Sequence, residues 1–206
     1  MTNTIKTNTD SQTIVPNVIY CSDDIAKQVS VNPIELGSTM RELGISDKSI
    51  EESTLYIDPK NRLLNFGTHY PNAIGRMRFW SNPEIQESKG DIVRLSARVR
   101  GKRRTGEQIN RTLVHELEHV AQADRKDIKV TEGHVAIWGL AAVGALVGSR
   151  FGETKTSKLI STGVGAFIGH NIGYLLAPHE VQARKRAGQN RGKKAEITTT
   201  SITVSE

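Results

Sequence analysis

R-T-L-V-H-E-L-E-H-V-A-Q, residues 111–122, sets two histidines and a glutamate inside an apolar run. Thr105 followed three residues later by Gln108 has the pattern of a capping box, so a helix is predicted to start near Gly106. Ile109, Leu113, Leu117 and Ala121 recur every fourth residue and form its buried stripe. His115 and His119 lie one turn apart on one side. That side is offset from the Leu113–Leu117 stripe by two positions, about 200° at about 100° per residue, and so faces a cleft. Two neutral imidazoles on adjacent turns can hold one tetrahedral zinc, with Glu116 placed to take a proton from a water at the open position. The competing reading is a core helix with two hydrogen-bonded histidines.

Zinc requires a third protein ligand. The longer pattern H-E-x-x-H-x-x-G-x-x-H is excluded, because Gln122 and Arg125 stand where it needs glycine and histidine. His134, His170, His179, Glu180 and Asp124 are the candidates, and Glu180 is favoured. It opens A-P-H-E-V-Q-A-R-K-R-A-G, where Pro178 suits a first helical turn and Gly188 the end. Glu180, Ala183 and Ala187 share a face, and the alanines allow close packing on the histidine helix. His179, on another face, is the rival.

H-E-L-E-H followed by a later helix carrying E-x-x-A resembles the gluzincin zinc metallopeptidases over about residues 90–187. The resemblance implies a zincin-like α+β fold with His115, His119 and Glu180 as the Zn2+ ligands and Glu116 as the catalytic general base. The implied activity is hydrolysis of peptide bonds in a protein or peptide substrate. It also implies an edge strand ahead of the active-site helix that holds substrate extended, a place occupied by residues 93–100.

Between the two ligand-bearing segments lie the uncharged run V-A-I-W-G-L-A-A-V-G-A-L-V-G, residues 135–148, and L-I-S-T-G-V-G-A-F-I-G-H-N-I-G-Y-L-L-A, residues 159–177. Gly144 and Gly148, and Gly165, Gly169 and Gly173, recur every fourth residue, a spacing that lets helices approach closely. An antiparallel hairpin over residues 134–177 returns Glu180 to the side of His115. Such an insertion is similar to that of HtpX-like and CAAX-prenyl-protease membrane metallopeptidases. Residues 135–148 are short for about 30 Å of hydrocarbon, so a bilayer hairpin, a hairpin buried in a soluble core and an oligomerisation surface all stand. His170, His179 and Tyr174 are candidate oxyanion donors.

Upstream, residues 23–44 predict two short helices broken near Asn32-Pro33, with Ile34, Leu36, Met40 and Leu43 apolar. T-L-Y-I-D-P-K-N-R-L-L-N-F, residues 54–66, predicts a hairpin turning at Pro59. Residues 74–80 and 91–100 predict strands. In the second, Val93, Leu95, Ala97 and Val99 face the core, while Arg94, Ser96, Arg98 and Arg100 form a charged face. Residues 1–12 are polar, do not form a secretory signal, and are expected to be a disordered lead-in; residues 189–206 are expected to be a loose basic and polar tail. Residues 13–188 then make one domain.

The single cysteine, Cys21, excludes an internal disulfide and suits an intracellular, reducing setting. The net charge of +6 concentrates in two blocks, Arg76–Arg104 and Arg184–Lys194. Both favour anionic partners, above all an anionic membrane surface, and the second favours a cytoplasmic catalytic face. The alternative function is a basic membrane- or nucleic-acid-binding module whose H-E-x-x-H helix is structural. Nucleic acid is disfavoured, because no aromatic RNA-binding motif accompanies the arginines.

Overall fold

A computed structural model describes residues 13–59, 67–70, 88–99, 101–189 and 194–205. The expected lead-in and the strand predicted over residues 74–80 lie outside them. The class is α+β, with seven helices and small sheets among the described residues. The principal sheet contains β1 (Asn17–Tyr20), β3 (Thr54–Asp58), β4 (Gly67–Tyr70) and β5 (Ile92–Ser96) in the order β1-β3-β5-β4. β1, β3 and β5 run parallel, and β4 is antiparallel to β5.

α4 (Gly106–Asp124) packs across β4 and β5. Leu55, Ile57, Val93 and Leu95 point into one core with Ile109, Leu113, Leu117 and Val120 of α4. Ile19, Tyr56 and Ile92 form a small cluster on the opposite side of the sheet.

This topology corrects two expectations. β3 has β1 on one edge and β5 on the other, so no edge is left for the hairpin predicted at Pro59. All five β3 residues are buried, as an internal strand of a mostly parallel sheet requires. Likewise β5 is internal, and among the described residues the edges are β1 and, beside β5, β4. The alternation of β5 is real, since Val93, Leu95 and Ala97 join the main core. Its second face is not a charged solvent face, however. Arg94 pairs with the buried Asp58, and Ser96 is buried.

The N-terminal part supplies α1 (Asp23–Gln28), β2 (Val29–Val31), α2 (Pro33–Glu42) and α3 (Asp47–Glu52). Leu36, Met40 and Leu43 are buried, whereas Ile34 is 62% exposed. Ile34 is two positions from Leu36 and therefore about 200° around the helix from that face.

The expectation of a loose tail over residues 189–206 is also corrected. β8 (Ile202–Val204) pairs antiparallel with β2. Ile197 and Ile202 enter the main core. Asn110 of α4 donates to the Ile202 carbonyl at 2.8 Å and accepts from its N–H at 3.0 Å. Isoleucine and β-branched residues within T-T-T-S-I-T-V give this stretch a face to bury, which its polar composition conceals.

The remaining helices are α5 (Ile128–Gly148), α6 (Lys155–Leu176) and α7 (Pro178–Arg186). α5 and α6 pair along their length, and the hairpin they form rests on α7. A Cβ on Gly144 would overlap the Gly165 carbonyl, and one on Gly165 would overlap that of Gly144, so the two backbones meet where only glycine fits.

Candidate metal centre

α4 starts at a complete capping box. Thr105 Oγ1 accepts from the Gln108 N–H, and Gln108 Oε1 accepts from the Thr105 N–H. Ile109, Leu113, Leu117 and Ala121 are each at most 2% exposed. Seating that stripe on the sheet leaves His115, Glu116 and His119 on a flank shared with α7 and β4. α7 begins one residue after α6 with Pro178 in its first turn. Its Glu180 and Ala183 are buried, as is Ala187 just beyond it, and the helix packs on α4.

The structure brings His115, His119 and Glu180 together. The two histidine Nε2 atoms are 3.3 Å apart. His115 Nε2 lies 3.4 Å from Glu180 Oε2, and His119 Nε2 lies 3.4 Å from Glu180 Oε1. Two nitrogens and a carboxylate are a donor set that zinc accepts. Atoms bound at about 2.0–2.1 Å around a tetrahedral ion stand about 3.3–3.4 Å from one another, so the triangle has the right size. Glu180 Oε2 is buried and forms no hydrogen bond among the described residues. Leaving such an acceptor without a hydrogen bond costs about 1–3 kcal/mol, a penalty that a cation at the centre of the triangle would remove.

The electrostatics have the same focus. Burial pushes the Glu180 carboxyl up, but its interactions with His115 and His119 outweigh that and hold it well below the usual carboxylate range. Burial lowers His119, and the attraction of its protonated form to Glu180 and Glu116 reverses this to a net rise. Glu116, 7% exposed, is shifted upward by burial against the opposing pull of His115, His119 and His69.

Further polar groups surround the three. His119 Nδ1 is 3.1 Å from Gln122 Oε1. Gln122 Nε2 donates to the His179 carbonyl at 3.1 Å and reaches Glu118 at 3.5 Å. Glu118 is fully buried, with Arg125 at 3.0 Å, Arg186 at 3.3 Å and Gln182 at 2.9 Å. Tyr174 of α6 lies close to Glu180. From the edge strand, the His69 ring stacks toward His119 with centroids 6.5 Å apart, and its Nε2 is 3.2 Å from Asp91.

Of the other candidate ligands, His179 borders the triangle, with Nε2 3.7 Å from Glu180 Oε1. Its ring packs where a side chain on Gly133 would collide with it. His134 touches His179, and His170 packs on Trp138 within the hairpin. Asp124 is engaged elsewhere, accepting from the Ser46 N–H and from Ser49 at the start of α3. Sequence reasoning missed His69, Glu118 and Gln122. Gln122 was legible as the i+3 neighbour of His119 and Glu118 as a charge within a buried helix; nothing local marks His69.

Part of the first basic block is spent within the fold, although Lys102 and Arg103 are exposed. Arg104 is buried and donates to the Ser96 and Gln108 carbonyls and to Thr112, and Arg98 donates to Gln28. In the second, Arg184 donates to the Leu175 carbonyl, Lys185 pairs with Glu196, and Arg186 with Glu118. Arg76, Arg78, Arg100, Arg191 and Lys193 lie outside the described residues. Comparison with protein-family models, curated proteins and solved structures returned no match.

Proposed function

We infer that this chain is a zinc-dependent metallopeptidase of zincin type. The observation that carries the reading is the triangle of His115, His119 and Glu180, with ligand atoms 3.3–3.4 Å apart and the buried Glu116 beside it. A zinc ion held there supplies Lewis acidity, polarising a peptide carbonyl and making water more acidic. Glu116 takes the proton of the attacking water and passes it to the leaving amide nitrogen. Its burial supports this role, since a raised proton affinity suits a carboxylate that must accept and then release a proton near neutrality. β4, the sheet edge beside α4, is placed to hold an extended peptide by main-chain hydrogen bonds. His69 lies on that strand, its ring stacked toward His119.

The same reading places the α5–α6 hairpin in a bilayer. α6 is long and apolar enough to cross one, with mean hydropathy 1.3 over its most apolar window and only 11% of that window buried. Trp138, Leu146, Phe151, Leu159, Phe167 and Leu175 are each more than half exposed. Water would charge for that much apolar surface, whereas lipid does not.

Glu116→Gln tests the function. The amide keeps the shape of the side chain but cannot accept the proton. Bound zinc should persist, and peptide hydrolysis should fall about 10²–10⁴-fold. Near-normal hydrolysis would remove Glu116 from the chemistry. A wild-type protein that takes up no zinc would remove the metallopeptidase reading altogether.

A further inference from the structure

Gln122 is fully buried, and its amide can face only one way. Its Nε2 lies 3.1 Å from the His179 carbonyl oxygen and 3.5 Å from Glu118 Oε1. Both are acceptors, so reversing the amide would set oxygen against oxygen twice. Glu118 Oε1 also accepts from Arg125 at 3.0 Å and from Gln182 at 2.9 Å, and its Oε2 lies 3.3 Å from Arg186. Gln122 Oε1 is therefore the atom turned to His119, 3.1 Å from its Nδ1. An amide oxygen only accepts, so His119 must carry a proton on Nδ1. A neutral imidazole has one such proton, which leaves Nε2 as a bare lone pair. Nε2 is the atom that meets His115 and Glu180.

We propose that Gln122, aligned by Glu118 and the His179 carbonyl, is the positioning residue that fixes His119 in the tautomer able to bind the metal. The proposal rests on the metal centre inferred above. Glu118 serves it twice. It orients the amide, and through Gln182 and Arg186 it also ties α7, the carrier of Glu180, to α4. The second glutamate of H-E-L-E-H thereby acquires a role without touching the metal.

The test uses the full chain, Zn2+ itself and two substitutions with opposed consequences. Gln122→Leu fills the buried space without charge but gives His119 Nδ1 no acceptor. Gln122→Glu keeps that acceptor and sets a second carboxylate beside Glu118, which should destabilise the fold. Zinc affinity, measured by competition with a chelator, should fall about 10- to 100-fold in Gln122→Leu, the range for lost outer partners of metal-bound histidine. Gln122→Glu should bind zinc more tightly than Gln122→Leu while unfolding at a lower temperature. An affinity order that follows the stability order, or Gln122→Leu within about twofold of wild type, overturns the proposal. Long-range nitrogen NMR of zinc-free wild-type protein, at a pH where His119 is neutral, reads the tautomer directly and needs no variant. A proton on Nδ1 is expected, and one on Nε2 overturns the assignment. Failure of the wild type to bind zinc would instead overturn the metal centre, leaving the tautomer to be decided by the NMR measurement alone.

Discussion

His179 and Glu180 are adjacent in sequence, yet they meet the site differently. The Glu180 carboxylate spans the two histidine Nε2 atoms with one oxygen each, at 3.4 Å. The His179 ring sits farther out, its centroid 5.8 Å from that of His119. Glu180→Ala should thus remove a ligand and the only negative charge among the three, weakening zinc by more than the roughly 10- to 100-fold typical of an outer partner. His179→Ala should cost less than Glu180→Ala, and chelator competition on both variants measures the difference. The reverse order would make His179 the ligand and dissolve the likeness to gluzincins. At this scale the sequence was most informative where contacts are local. His115, Glu116 and His119 could be read from helical spacing alone, and Glu180 from the face it shares with Ala183 and Ala187. His69 could not, because only the register of β4 against β5, which pairs it with Val93, brings it to the site.

Elements transmit order to the site as well as holding it. One residue, Ala177, separates α6 from α7, and Tyr174 of α6 lies close to Glu180. The pairing of α5 with α6 should therefore help fix where Glu180 lies. Gly165→Leu tests this, since its side chain has no room against the Gly144 backbone. The substitution should lower the melting temperature, with an overpacking cost of about 1–3 kcal/mol or more. It should also weaken zinc, although Gly165 lies far along the chain from every ligand. Unchanged zinc affinity in a destabilised protein would show that the hairpin and the metal centre are mechanically separate. The start of α4 and the glycine-paired hairpin were legible, because caps and small-residue spacing are written in neighbouring residues. Strand partners were not. Parallel pairing of β3 with β1 and β5 joins distant segments, and a hairpin signal at Pro59 carries no information about them. β8 was hidden for the same reason, since its evidence is the buried Asn110 more than ninety residues away.

For the molecule as a whole, the disposition of apolar surface governs where it resides. The sheet, α4 and the C-terminal strand bury their apolar residues in one core, whereas α5 and α6 expose theirs nearly all round. Polar residues mark the hairpin's turn, where Thr154 and Ser157 form a capping box at the start of α6 and Arg150 and Glu153 flank the bend. An apolar shaft with a polar tip suits a bilayer crossing. The apolar part of α5, Gly133–Gly148, is shorter than a full span, which local thinning of the bilayer can accommodate at modest cost. Carbonate washing of cell membranes separates insertion from surface adsorption, because high pH strips charge-held proteins and leaves inserted ones in the pellet. The wild type should stay in the pellet, and a variant with residues 135–177 replaced by a soluble linker should leave it. A finer variant places lysine at Phe167 and Val143, both on the outer surface of the shaft. In water those changes would improve solubility and leave the pairing of α5 and α6 intact. In lipid each charge near mid-membrane costs about 2.5–3.5 kcal/mol, so the double variant should move to the supernatant or fail to insert. If the wild type is recovered in the supernatant, the apolar shaft is covered by protein, and the bilayer reading falls while the metal centre at its base stands.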